Sequence, residues 1–256
     1  MPLLAAASLI ILLGVIDRRW LATAGFIGLI ISLAPYIRVG IVRAEPLVVR
    51  PPVVGRWVPV NGPGTRVPSH GLHAWGQTYA VDLIHALSGD YRPKFGWSPL
   101  SETDDSFPSF GQPVVAPASG TVVRAYDKAR DHRSRTSWPG LVCLLIEGAL
   151  RELGGPKRLL GNHVVLDLGN GSYAALAHLR RGSVLVRPGD HVNAGEQLAE
   201  CGNSGNPSEP HVYFQLMDRP QFVIAAGLPL RFSDTDVGKR ATPEWQGLCS
   251  APVTAS

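Results

Sequence analysis

Three stretches of this chain concentrate the side chains that ligate metals and move protons. They are SHGLHAWGQTYAVDL (Ser69 to Leu83), YAALAHL (Tyr173 to Leu179) and GNSGNPSEPHVYFQLMD (Gly202 to Asp218). Together they carry His70, His73, Asp82, His178, His211 and Tyr213. Neutral imidazole and carboxylate are the donors that zinc favours, and imidazole is also the commonest general acid or base. His211 and Tyr213 are two apart in a β-like run, so both point to the same face of a strand. The other histidines, His85, His132, His163 and His191, have no chemical partners in the sequence and read as structural or exposed.

The elements that must position these groups are short strands. Gly 28 and Pro 22 are high and charged residues make up only 17%. Such a composition favours strands joined by tight turns over a helical bundle. Arg56–Val60, YAVDL, the two runs of GQPVVAPASGTVVRAYD, HVVLDL, SYAALAHL, SVLV and HVYFQLM read as short strands, and YAVDL alternates apolar and polar residues. The Gly169-Asn170-Gly171 signal marks a hairpin and Pro188-Gly189-Asp190 a turn. The expected fold is all-β, an antiparallel sandwich or partly open barrel. One insertion, 127–160, interrupts it. Its centre, PGLVCLLIEGALRELGG, predicts a helix of about four turns, opened at Pro139 and stopped at Gly154-Gly155. That helix either packs on the sheet, caps the cleft or touches a bilayer.

Residues 1–43 have a different character. Leu3 to Ile16 and Leu21 to Ile37 are apolar runs separated by Asp17-Arg18-Arg19-Trp20. Each is a little short of the roughly 20 residues that span a bilayer. They read as a membrane-anchoring helical hairpin whose arginine turn faces the cytoplasm, leaving the chain beyond Ala44 outside. The rival reading is a late signal sequence with Arg18-Arg19 at its head and a cleavage site at Val42-Arg43-Ala44. Residues 44–55, AEPLVVRPPVVG, read as an extended linker. The β domain is expected over 56–235 and a tail over 236–256. The formal net charge of +4 suits an anionic surrounding such as a cell wall or lipid surface, and no nucleic-acid motif is present. Cys143, Cys201 and Cys249 have no metal spacing and suggest buried free thiols.

In order and spacing, the three segments, GQPVVAPASGTVV and VRPGDHVNAGEQLAECGNSG resemble the lysostaphin-type, LytM-like zinc endopeptidases that cut peptidoglycan cross-links. The resemblance covers about two-thirds of the chain and is most specific from Gly161 to Asp218. It implies zinc as cofactor, peptidoglycan peptides as substrate and an extracytoplasmic site at a bacterial membrane. It also implies that Asp82 is a metal ligand, and that His178 and His211 are the catalytic histidines. The sequence departs from the family twice. Thr78 stands where the early ligand histidine is expected, which leaves His70 or His73 to supply it. Tyr213 stands where the last ligand histidine is expected, either as a substitute ligand or as a hydrogen-bond donor beside a His70, His73, Asp82 set. A catalytically degenerate member that binds cell wall or regulates a partner hydrolase is the alternative. The turn grammar of VRPGDHVNAGEQLAE also resembles a biotinyl or lipoyl barrel, but the hairpin tip holds Gly169-Asn170-Gly171 where that fold needs a lysine.

Overall fold

The computed structural model describes residues 44–86 and 99–233 without a break, with Val42, Gly96, Trp97 and part of 20–31 beside them. Most of both apolar N-terminal runs and all of the tail after Ser233 lie outside the described residues. Among the described residues, no helix is long and apolar enough to cross a membrane.

The main sheet has eight strands. Its path runs through β2 (Trp57–Asn61), β3 (Val81–His85), β10 (Val212–Met217), β7 (Ser172–Leu179), β6 (Asn162–Gly169), β5 (Gly120–Tyr126) and β8 (His191–Val192), with β11 (Gly227–Leu228) paired to β10. Every pairing in it is antiparallel. Two small sheets accompany it: β4 (Pro113–Val115) with β9 (Gln197–Glu200), and β1 (Leu47–Val49) with β12 (Leu230–Phe232). The second of these pairs is parallel, and β1 lies within the proline-rich stretch 44–55. Ser183–Val186 forms no ladder strand; Leu185 N–H donates to Leu198 O.

Alternation along the strands decides what each face does. On one face Val81, Leu83, Val164, Leu166, Val212 and Phe214 meet Val49, Val114, Leu198 and Phe232 of the small sheets in the principal core. This layering supports the β-rich, antiparallel expectation. On the other face, Val165, Ala175, Ala177 and Met217 form a smaller cluster with Leu160 and Phe222. Asp82, Tyr213 and Gln215 share the parity of that second face.

The insertion carries a helix at Trp138–Leu153, followed by a short one at Pro156–Leu160. Gly155, at φ +82°, makes the break between them, and Pro156 opens the second. The long helix comes close to its neighbours at its glycines. A Cβ on Gly140 would lie 2.9 Å from the Leu100 carbonyl, and one on Gly148 2.7 Å from the Asn206 amide.

Candidate active site

Asp82 is the centre of the site. It lies in β3 opposite Tyr213 of β10, and is buried. Its Oδ2 accepts a hydrogen bond from Asn61 Nδ2 at 2.9 Å and lies 3.0 Å from His70 Nε2. Its Oδ1 is buried without a hydrogen-bond partner, and His211 Nε2 stands 3.5 Å away, too far for a good bond. Asn61 reaches the carboxylate because the β2–β3 register shifts between Pro59 and Asn61, bringing Asn61 opposite Asp82.

His70 arrives from the loop before β3. Ser69 fixes that loop: its N–H donates to Thr78 O and its hydroxyl to Gln77 O. With its one proton committed there, the Ser69 hydroxyl accepts from His70 Nδ1 at 3.0 Å. His73 turns elsewhere, its Nδ1 lying 3.2 Å from Thr78 Oγ1. Of the two upstream histidines, His70 is therefore the one placed on Asp82.

His178 reaches the site through a break in the alternation. Ala177 faces the smaller cluster and Leu179 faces the principal core, so one residue between them is extra. The β6–β7 register shows the same slip, with Asn162 opposite Leu179 and His163 opposite Ala177. His178 occupies this bulge at φ +61°, a left-handed conformation that re-aims the side chain. Its Nδ1 donates to the Ser204 carbonyl at 2.9 Å, and its ring packs edge-on to His211 with centroids 4.9 Å apart. The Ser204 turn is in turn pressed against the chain at Gly161. A Cβ on Gly205 would meet the Leu159 carbonyl at 2.3 Å.

His211 precedes β10, with Nδ1 donating to the Glu209 carbonyl at 2.9 Å. Tyr213 lies two residues on, on the same face, its ring edge-on to those of His70 and His178. The phenol donates to Gln215 Oε1, and Gln215 Nε2 donates to the Trp75 carbonyl at 3.0 Å.

Electrostatics separates these groups. Burial would raise the Asp82 carboxyl, but the two imidazoles His70 and His211 outweigh it and hold it well below the usual range. Burial, reinforced by the neighbouring His211, pushes His178 down to about 3. Burial also pulls on His211, yet the nearby charge of Asp82 leaves it raised. The Tyr213 phenol is driven well above 10 by burial first and by the charge of Asp82 second.

The structure thus brings His70, Asp82, His178, His211 and Tyr213 together and leaves His73 on Thr78. Of the remaining histidines, His85 rests edge-on to Trp57, His163 lies between Tyr126 and Phe222, and the His132 Nδ1 faces the Arg133 carbonyl. Three supporting residues were not singled out from sequence: Asn61, Ser69 and Gln215. Gln215 was within reach, since His211, Tyr213 and Gln215 keep period two.

The pattern of peptidase family M23 matches residues 142–223, a span that includes His178, His211 and Tyr213. Over that span the chain carries the pattern of this lysostaphin-type family. The chain is 32% identical over 165 residues to the peptidoglycan DD-endopeptidase ShyA of Vibrio cholerae, a match covering 61% of this chain and 31% of the relative. The chain therefore spans under a third of that curated relative. Among solved structures, lysostaphin from Staphylococcus simulans aligns at 18% identity and TM-score 0.38, over 69% of this chain and 50% of its own. A zinc-containing peptidase from Vibrio cholerae aligns at 20% identity and TM-score 0.32, over 76% and 40%.

The family's metal can be tested against the side chains present. With Nδ1 of His178 and His211 committed to carbonyls and Nδ1 of His70 to Ser69, all three Nε2 atoms are left over. Two of them, on His70 and His211, flank the Asp82 carboxylate, whose Oδ1 has no donor. Bare Nε2 atoms beside a carboxylate repel unless a proton or a cation stands between them. These donors fit zinc in type. Among the described residues, however, no three His, Cys, Asp or Glu side chains form a completed metal site.

Proposed function

We propose that this domain is a zinc-dependent peptidase acting on the peptide part of peptidoglycan, held at a bacterial membrane on its extracytoplasmic side by the apolar N-terminal runs. The observation that carries this reading is the pairing of His70 and His211 Nε2 with the Asp82 carboxylate, whose Oδ1 lacks a hydrogen-bond partner. The family match over 142–223 and the likeness to a peptidoglycan endopeptidase support the substrate class. His70, Asp82 and His211 would hold the metal, which when bound supplies Lewis acidity toward a peptide carbonyl and acidifies its water.

The protein's own groups do the rest. Asn61 and Ser69 orient Asp82 and His70, as outer hydrogen bonds to metal ligands do. Held neutral by burial, His178 leaves its Nε2 open to the site while Ser204 fixes its ring. Tyr213, tied to Gln215, keeps its proton and walls the site.

The test is zinc content of the full chain by elemental analysis, beside cleavage of isolated peptidoglycan, for wild type and Asp82→Ala. Stoichiometric zinc and cleavage in wild type, both lost in the variant, are expected. Cleavage that survives in Asp82→Ala would reject the site. Orientation is tested by an impermeant thiol reagent on intact cells with Glu45→Cys; labelling only after lysis would reject an extracytoplasmic domain.

One observation favours a second reading. The Tyr213 phenol is already used on Gln215, so the family's last ligand is missing in kind. A domain that binds cell wall or a partner hydrolase without cutting would show zinc, or binding to peptidoglycan, without turnover.

A further inference from the structure

The long insertion helix is amphipathic in the opposite sense to a helix packed on a protein. Two of its charged groups face inward: Glu147 pairs with Arg135 and Arg151, and Arg151 Nη1 donates to Asn206 Oδ1 at 2.6 Å. Its outward face is Trp138, Val142, Leu145, Ile146, Leu150 and Leu153, all exposed, with Leu145 at 73% and Leu153 at 75%. At 3.6 residues per turn these six fall within an arc of about 140° that contains no charged residue. Large exposed apolar surface of this kind marks a place that meets another apolar phase.

The surroundings of this face indicate which phase. At the helix start Trp97, 79% exposed, and Leu100 extend the apolar surface. Trp138 N–H donates to the Gly96 carbonyl, joining the two segments. Beyond its other end, Val223 and Ile224 are also exposed. Tryptophan at the margin of an apolar strip suits a membrane–water interface. The flanks are basic. Arg130 and Arg133 precede the helix, and Lys157 and Arg158 come after it, in chain segments that reach the surface. Beside its C-terminal end, Arg124, Lys157 and His163 line a cavity of about 390 Å³ together with Gly154 and Val223. Cations around an apolar helix complement anionic lipid headgroups.

Chain length gives the same answer. The second apolar run ends at Ile37, ten residues before β1 begins at Leu47. Ten residues span at most roughly 35 Å. A domain tethered so closely meets the bilayer at high effective concentration, so a single apolar helix face suffices to hold it there.

We infer that the insertion helix lies in the surface of an anionic bilayer, seating its Trp138–Leu153 face among the acyl chains and the Arg124–Lys157 cavity against headgroup phosphates. The inference rests on the membrane-anchor reading above for its tether. Because Asn206 lies beneath the helix, two residues from the Ser204 carbonyl that holds His178, this docking fixes the height and tilt of the His178 site above the lipid.

The experiment uses the full chain in vesicles of phosphatidylcholine and phosphatidylglycerol, with Cys143→Ser and Cys249→Ser removing other reactive thiols while Cys201 stays buried. An environment-sensitive fluorophore is placed at Leu145→Cys or, as control, at Asn193→Cys in the exposed turn before β9. Blue-shifted emission at position 145, with several-fold stronger quenching by lipid-borne nitroxide than at 193, is expected. Replacing phosphatidylglycerol by phosphatidylcholine should reduce that contrast. Chain that floats with vesicles while position 145 stays as open to aqueous iodide as 193 overturns the docking and leaves the anchor intact. Failure to float at all overturns both. Shielding of position 145 in detergent without lipid would assign the face to a second copy and overturn the inference.

Discussion

Replacing Tyr213 by phenylalanine asks whether the residue that breaks the family pattern is a ligand or a hydrogen-bond donor. The phenol is buried, donates to Gln215 Oε1, and its ionisation is pushed well above 10 by burial and by Asp82. From the reference value alone, holding a tyrosinate at pH 7 costs about 4 kcal/mol, near a thousandfold in zinc affinity, and the upward shift enlarges it. A donor role therefore predicts that Tyr213→Phe leaves zinc affinity within about threefold of wild type. The variant should lose stability instead, by about 1–3 kcal/mol, because Gln215 Oε1 is left without its donor. Zinc affinity by chelator competition, from pH 6.5 to 9, is the assay, beside denaturant midpoints. A tyrosinate ligand would release one more proton on binding, so wild-type affinity would climb tenfold more steeply per pH unit than that of the variant. A hundredfold loss of zinc in Tyr213→Phe, with that flatter slope, would refute the donor assignment and the His70, Asp82, His211 set together.

The same geometry fixes other outcomes. Ser69→Ala removes the acceptor that orients His70 Nδ1 and should weaken zinc binding about 10- to 100-fold without unfolding the domain, as titration beside thermal melting would show. Gly205→Ala forces a Cβ into the Leu159 carbonyl at φ +91°, so it should cost more than about 1–3 kcal/mol in denaturant unfolding and lower peptidoglycan turnover by moving the Ser204 carbonyl off His178. His178 is depressed from 6.5 to about 3 in the metal-free fold, so its contribution is complete above pH 6.5 and declines as pH falls toward 3. His178→Asn, which tolerates the left-handed backbone, should flatten that acid limb by a few kcal/mol in pH-dependent unfolding; an unchanged limb would assign it to other groups.

Period two made most of the sheet readable, and with it the placement of Asp82, His211 and Tyr213, because strand alternation is a property of local sequence. His178 was readable as a residue but not as a geometry. Strict alternation from Ala177 would turn its ring into the principal core, and only the slip against Asn162 and His163 brings it to the site. That slip depends on which residues of β6 face it, a long-range fact. The choice between His70 and His73 was equally hidden, since it is made by Ser69 reaching across the loop to Gln77 and Thr78. YAVDL marked β3 but placed its start two residues early, as Tyr79 closes a 3-10 turn begun at Ala74. The helix of the insertion was legible from Pro139 and Gly154-Gly155. Its orientation was not, because apolar residues nearly circle it and only the paired Glu147 and Arg151 reveal which side faces the protein.

The parallel pairing of β1 with β12 makes the domain a closed cassette. Leu47 lies opposite Leu230 and Val49 opposite Phe232, so the strand that begins the described fold and the strand that finishes it run side by side. A host protein could receive such a unit within a surface loop without having its own ends drawn apart. The same adjacency permits circular permutation: a crossover linker of about a dozen residues from Ser233 back to Leu47 would let the chain be opened at the Gly169–Gly171 hairpin while every strand neighbour is preserved.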